Sequence, residues 1–385
     1  MLKNRGFCQG LYCVYTIGRL AFVGTTCVRN LYVDALLSSG AGRITATSLS
    51  RVEPSFSHDE FTRLLRGEAG SKESLLRLAT RTLKEHQHQG IRVLILDDTI
   101  IEKPHSALSE AVGYHYDHSQ GRTVRGINVL SALWSDEVLS IPLQVEVVEK
   151  RSCGTDKKGR PIWVNKQNKN ELFRALVERA AQSPTRAVEY VLSDIWYGSA
   201  ENMDFIKEDM GLDFVMAVKG NRMVALSKKD ADSGNWLPLQ KLKLGKRAQR
   251  CYLKGLEFPV LVAREVFKNG DDAKGGTLYL ATSDLELKRA DILGLYQRRW
   301  KIEEYHRSLK QNCCAGGAQV YHPDAHKNHL RFAAIAFIRL ERISKLLDKN
   351  QYLLRREIED VKTKYALKII RQSFHPNAQP MKFAA

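Results

Sequence analysis

Residues 91–99, IRVLILDDT, constrain the fold more than any other stretch. A short apolar run rich in Val, Ile and Leu reads as a buried strand, and this one ends on two acids, Asp97 and Asp98. AVEYVLSD, residues 187–194, is a second strand ending in an acid, Asp194. Ligands in α/β sheets sit outside the carboxyl ends of the strands, so acids placed there are candidates for chemistry. Taken singly, an Asp at a strand end is more often a turn residue or a helix cap.

Other segments fill in a mixed architecture. GINVLSALW (126–134) and VLSIPLQVEVV (138–148) read as two further strands around a tight Ser135-Asp136-Glu137 turn. A helix follows over about 170–183, and another begins near Ser199. From Asp213 to Ser283 the pattern is β-rich, after which a helix over about 287–313, a further helix and a basic tail close the chain. Before the first strand the pattern is helical. Ser57 and Glu60 have capping-box spacing, and ITATSLSRVEPS reads as a short helix and turn ending at Pro54. This region is either a helix-turn-helix-like module or a helical cap on the next domain. Residues 150–170 read as a loop with seven Lys/Arg and one acid, Asp156. That loop is either a phosphate contact or a solvated linker.

The helix around YQRRWKIEEYHRSLK is amphipathic in an unusual way. At about 100° per residue, Tyr296, Arg299, Glu303 and Lys310 fall within a wedge about 60° wide, with Arg307 beside them. Leu295, Ile302, Tyr305 and Leu309 gather on the opposite side, which can pack on a core. One carboxylate framed by cations and a phenol suits an anionic ligand gathered around a metal-binding acid.

Bulk charge agrees. The 385 residues hold 60 Lys+Arg against 43 Asp+Glu, a net charge of +17 that suits a protein holding a polyanion. The basic residues are dispersed, which argues against a membrane-surface helix. Residues 10–28 are fairly apolar but carry Arg19, so neither a membrane span nor a signal peptide is expected. Seven cysteines with no CxxC pair favour a reducing cytoplasm over a disulfide framework or zinc site.

Three carboxylates from separate elements, Asp97 or Asp98, Asp194 and Glu303, can hold two hard divalent cations, and such a pair cleaves phosphodiesters. With these residues the chain resembles a DDE transposase of the insertion-sequence-four type. The signature of that family, Tyr, two residues, Arg, three residues, Glu, six residues, Lys, is matched by Tyr296, Arg299, Glu303 and Lys310. Its first Asp commonly precedes Thr at a strand end, as Asp98 does in LILDDT, with Asp97 as the alternative. Its second commonly precedes an aromatic-Gly turn, as Asp194 does in SDIWYGS, and YHYDHSQGRTVRGIN (114–128) is similar to the segment between its first strands. The resemblance covers about residues 31–345.

That resemblance implies an α/β fold: an RNase H-like mixed sheet flanked by helices, interrupted by a β-rich insertion and preceded by a helical module. The expected divisions are an atypical extension at 1–30, a helical DNA-binding module at 31–90 and a catalytic core at 91–210. A β-rich insertion at 211–285, the rest of the core at 286–345 and a basic tail at 346–385 complete them. The resemblance further implies that Asp98, Asp194 and Glu303 bind two Mg²⁺, with Mn²⁺ able to substitute. Tyr296, Arg299 and Lys310 would grip phosphates, with Arg307, Arg122 and Arg125 as further DNA contacts. The partners would be the terminal inverted repeats and target DNA, worked on by a homodimer in the cytoplasm without membrane attachment. An RNase H-like nuclease without joining activity and an inactive DNA-binding relic are the alternatives. Trp236 reads as a buried anchor more than a base-stacking residue, His115, Asp117 and His118 as loop residues more than metal ligands, and Cys313-Cys314 as packing.

Overall fold

The computed structural model describes residues 27–67, 71–117, 120–156, 158–159, 161–267 and 276–373. The extension expected at 1–30 lies almost wholly outside these residues, as do His118 and positions 374–385. Four helices come first: α1 (Val28–Ser39), α2 (Ala46–Val52), α3 (His58–Arg66) and α4 (Ser71–Glu85). The capping box forms as its spacing requires, with Ser57 N–H donating to Glu60 at 2.8 Å and Glu60 N–H to Ser57 Oγ at 3.4 Å.

The sheet begins with β1 (Val93–Glu102), β2 (Gly113–Asp117), β3 (Arg122–Ser135) and β4 (Ser140–Val147). β1 pairs antiparallel with β3, and β3 with β4. The basic stretch expected as a loop is a two-stranded ribbon, β5 (Lys150–Thr155) with β6 (Pro161–Asn165). The reversal at Gly159, with φ 75°, turns the chain and lets the Ile-Trp-Val run pair back. After α5 (Lys169–Ala181) comes β7 (Tyr190–Ser193), parallel to β1. The short α6 (Ala200–Asp204) leads to β8 (Asp213–Val218), parallel to β7. The order β4-β3-β1-β7-β8, with β3 antiparallel to its neighbours, is an RNase H-like mixed sheet.

The β-rich segment comprises β9 (Met223–Ala225), α7 (Lys228–Asp232), β10 (Leu237–Pro238), β11 (Gln249–Leu253), β12 (Val260–Phe267) and β13 (Gly276–Thr282). Its strands extend the edge of the core sheet instead of forming one of their own, because β13 pairs antiparallel with β8.

Beyond the sheet, the single helix expected over 287–313 is two: α8 (Arg289–Gln297) and α9 (Trp300–Gln311). At the joint the N–H groups of Arg298, Arg299, Lys301 and Ile302 each bond the carbonyl three residues back, a tightened 3₁₀-type turn. The long α10 (Pro323–Leu347) follows. The stretch expected as a basic tail forms α11 (Gln351–Ser373), anchored by buried Leu354 and rich in good helix formers.

Helix α5 packs on β1, β3 and β4, α9 packs on β1, and α10 packs on β4. The N-terminal helices join the same core rather than standing apart: α1, α3 and α4 all pack on α10. Buried Tyr32 of α1 donates to His329 Nδ1 at 2.8 Å, while His329 Nε2 lies 2.9 Å from the Cys314 carbonyl and so carries the proton. Buried Lys103, just past β1, donates to the carbonyls of Gly316 and Ala318, both at 2.8 Å.

Burial, with Lys103 nearby, pushes His329 down to about 3, and burial pushes His326 down to about 4. An unfolded chain binds these protons near 6.5, so between those values it holds more protons than the folded one, and stability falls with falling pH. The unfolding midpoint should therefore drop between about pH 6.5 and 4, and His329→Gln should show a shallower drop. Parallel pH profiles for the two proteins in urea denaturation would refute this account.

Candidate active site

Parallel pairing of β1 with β7 runs from Val93 opposite Tyr190 to Leu96 opposite Ser193. The next residues, Asp97 and Asp194, therefore stand side by side where β7 ends. β1 itself does not stop at its acids but continues to Glu102 against β3. Successive side chains on a strand point to opposite faces, so Asp97 and Asp98 cannot both face one site.

Contacts show which way each points. Asp97 Oδ2 lies 3.6 Å from Arg299 Nη1, and Arg299 Nη2 donates to Glu303 Oε1 at 2.7 Å. One guanidinium thus touches an acid from β1 and an acid from α9. These side chains are only 17 %, 16 % and 33 % exposed for Asp97, Arg299 and Glu303. The Arg299 guanidinium also lies 5.6 Å from the Tyr296 ring centroid, and its Nε has no partner among the described residues.

Asp98 points to the α5 side and is fully engaged. Its Oδ1 accepts from the Tyr197 hydroxyl at 2.7 Å, and its Oδ2 from Lys169 Nζ and Asn128 Nδ2, both at 2.8 Å. Sequence reasoning did not assign these three partners, although Lys169 closes the basic stretch and Tyr197 lies in the SDIWYGS turn. Tyr197 in turn stacks on Phe173 of α5, with ring centroids 4.9 Å apart.

Electrostatics separate the two aspartates as geometry does. Burial, together with the Asp194 and Asp98 charges, pushes Asp97 up to about 7 in spite of Arg299. Burial also raises Asp194, while the Trp196 N–H on its carboxylate works the other way. Asp98 is equally enclosed, yet Lys169, Tyr197 and Asn128 hold it below the usual carboxylate range.

Asp97 and Asp194 are therefore half-buried carboxylates whose mutual repulsion one arginine only partly relieves. Hard oxygen donors under that repulsion fit a divalent cation, whereas Asp98, with its oxygens already bonded, does not. A second group with metal-ligand chemistry, His86, His88 and Asp136, lies by the opposite end of β1. There the Asp136 oxygens already accept from His86 and from the backbone N–H groups of Gln89, Val138 and Leu139.

The remaining expected residues are not all gathered at the acids. Lys310 is exposed about 10 Å further along α9 than Glu303, where the charges it feels are Asp117 and Glu102. Arg307 lines a groove with Glu304 and Tyr352. Arg122 pairs with Glu102 at 3.4 Å, and Arg125 donates to the Ser106 carbonyl and lies over the Tyr114 ring. His115 is half-buried, with burial and Lys150 pushing it down to about 4, and Trp236 is half-buried. Cys313 and Cys314 are buried free thiols.

The sheet is RNase H-like, and at the ends of its central strands Asp97 meets the helix-borne Glu303 through Arg299, beside Asp194. Residues 25–247 match the family described as DDE superfamily endonuclease, more than half of the chain, and the chain belongs to that family. The match includes Asp97, Asp98 and Asp194 but ends before the Tyr296–Lys310 helix. Comparison with curated proteins finds no match. Membership implies a phosphodiester-cleaving enzyme that acts on DNA, and enzymes of this superfamily use divalent metals. Among the described residues, no helix is long and apolar enough to cross a membrane.

The two aspartates should respond oppositely to neutralisation. Asp98→Asn mismatches buried donors and should cost about 1–3 kcal/mol. Asp97→Asn removes repulsion and should leave stability unchanged or raised. Chemical denaturation of both variants tests this, and a similar loss from each would contradict the assignment of faces.

Proposed function

We propose that the chain is a DNA transposase of the insertion-sequence-four type, with Asp97, Asp194 and Glu303 as its three carboxylates. The observation that carries this reading is the Arg299 guanidinium, which joins Asp97 to Glu303 beside Asp194. Asp97 takes the place expected for Asp98, because the Asp98 carboxylate is committed to Lys169, Tyr197 and Asn128.

Asp97, Asp194 and Glu303 would hold two divalent ions, Mg²⁺ with Mn²⁺ as a substitute. Such ions, when bound, activate a water or hydroxyl and stabilise the leaving oxygen of a phosphodiester. The chain's own groups do the rest. Arg299 supplies the cation beside the carboxylates, and Tyr296 keeps the guanidinium in place. Asp98 acts through Tyr197, fixing the turn that carries Asp194.

In the first step a water oxygen bonds to phosphorus at the transposon end, the bond to the 3′ oxygen breaks, and that oxygen leaves as a 3′-hydroxyl. In the second, this hydroxyl attacks another phosphodiester, as a hairpin step or in joining to target DNA. Lys310 and the β5–β6 ribbon suit phosphate contacts away from the scissile bond. Arg122 and Arg125 would first have to exchange protein partners for phosphates, and Arg307 would meet DNA only across its groove. The helical module would help recognise inverted repeats, the working form would be a synaptic homodimer, and the location would be the cytoplasm, on DNA. A nuclease without joining activity is the second reading, favoured by a family match that stops short of the signature helix.

The test is cleavage of a labelled duplex carrying the flanking inverted repeat, with Mg²⁺ or with EDTA. Wild type should cut at the repeat end and join the product to target only with Mg²⁺, and Asp97→Ala and Glu303→Ala should abolish both steps. Asp98→Ala should lose about 10–100-fold, the scale for a residue supporting a metal ligand. Cutting without joining would favour the nuclease. Full activity in Asp97→Ala would rule out this set of carboxylates.

A further inference from the structure

At the end of β1 away from Asp97, two imidazoles meet a carboxylate. Helix α4 ends at Glu85, and His86 and His88 just after it face Asp136 in the turn between β3 and β4. One ligand atom from each of the three lies within 4.8 Å of the other two. Around a tetrahedral Zn²⁺ such atoms stand about 3.4 Å apart. His86 Nε2 is 2.7 Å from Asp136 Oδ2, and His88 is exposed, so small ring movements close the set. The buried Trp134 indole backs both imidazoles, with ring centroids 6.3 and 5.3 Å away. Asp136 is itself buried, and backbone groups fix its carboxylate. The Val138 and Leu139 N–H groups donate to Oδ1 at 2.9 and 2.8 Å, and the Gln89 N–H to Oδ2 at 3.1 Å. Such bonds orient a carboxylate ligand without using its last lone pair. That lone pair faces His86, and here Asp136 differs from Asp98, whose Oδ2 meets the Lys169 ammonium. An ammonium has no lone pair for a metal, whereas an imidazole has. An ion entering between Nε2 and Oδ2 displaces only the proton between them, to His86 Nδ1 or to solvent.

We propose that His86, His88 and Asp136 form a site for a borderline transition-metal ion, Zn²⁺ or Co²⁺, which fastens the end of α4 to the β3–β4 turn. Two imidazoles and one carboxylate favour such an ion over Mg²⁺, which takes oxygen ligands and keeps several waters. Three protein ligands leave a position for water on the exposed His88 side. The ion adds to a junction already begun by the backbone, where the Glu137 N–H donates to the Gln89 carbonyl at 3.3 Å. Since α4 packs on both β4 and α10, the ion ties the helical module to the sheet. The proposal does not depend on the chemistry assigned to Asp97, Asp194 and Glu303.

The test uses untagged full-length protein, stripped with EDTA, returned to excess Mg²⁺ and then titrated with Zn²⁺ or Co²⁺. After gel filtration, metal analysis should find one more equivalent of Zn²⁺ on wild type than on His88→Ala. Zn²⁺ should raise the unfolding midpoint of wild type, as a ligand of the folded state does, and leave that of His88→Ala in place. Co²⁺ would sit next to Trp134 and should quench indole fluorescence more in wild type than in His88→Ala. Because His88 is exposed, the metal-free variant should unfold near the wild-type midpoint, so the comparison reads binding rather than folding. Asp97→Ala should keep the full Zn²⁺ shift. Equal Zn²⁺ retention by wild type and His88→Ala, or a wild-type midpoint that Zn²⁺ does not move, would overturn the site. His86 and Asp136 would then share a hydrogen bond only, and the reading of the acid site would stand. Loss of the Zn²⁺ shift in Asp97→Ala would place the ion at the acids and overturn the proposal as well.

Discussion

Parallel pairing of β1 with β7 sets a condition that the surrounding structure has to meet. It brings Asp97 and Asp194 together in a place where both are largely removed from water, and two carboxylates so placed repel. A folded chain tolerates this only if a cation is nearby or a proton is retained. Arg299 supplies the cation, and it can do so because the 3₁₀-type joint between α8 and α9 places it at the start of α9, above β1. The same guanidinium holds Glu303, so the acid from the helix is delivered to the acids of the sheet by the residue that offsets their charge.

On the other face of β1 a second aspartate behaves quite differently. Asp98 is as enclosed as Asp97, yet three donors satisfy it, so its charge is stabilised where that of Asp97 is not. Adjacent residues of one strand thereby take opposite parts: one acid kept short of partners and suited to a metal, the other saturated and suited to holding structure. Their linkage runs through Tyr197, which lies on the Asp194 turn and bonds Asp98. Anything that shifts α5, which carries Lys169 and Phe173, would thus be felt at Asp194.

Much of this was legible in the sequence because it depends on short-range pattern. IRVLILDDT and AVEYVLSD announce buried strands with acids near their ends, and the wedge of Tyr296, Arg299 and Glu303 survives the joint between α8 and α9 because both halves stay right-handed and helical. Alternation along β1 says that Asp97 and Asp98 face apart, but not which way. That depends on Lys169, 71 positions from Asp98 in the chain, and on Arg299, which is more distant still. Lys310 was drawn into the wedge by angle alone, whereas its two further turns of helical rise carry it toward Glu102 and Asp117. The ribbon at 150–165 was hidden by its charge, since a basic run reads as solvated whether or not it pairs.

Continuity of the sheet bears on how the site works as a unit. Because β13 pairs with β8, the β-rich strands are an extension of the strand next to β7 rather than a domain on a hinge. Asp194, just past β7, and Lys219, just past β8, follow strands held together by one backbone ladder, and Gly198 keeps the Asp194 turn against Ala217 of β8. Groups held this way need little further ordering to meet a ligand, so less of any interaction energy is lost to immobilising them.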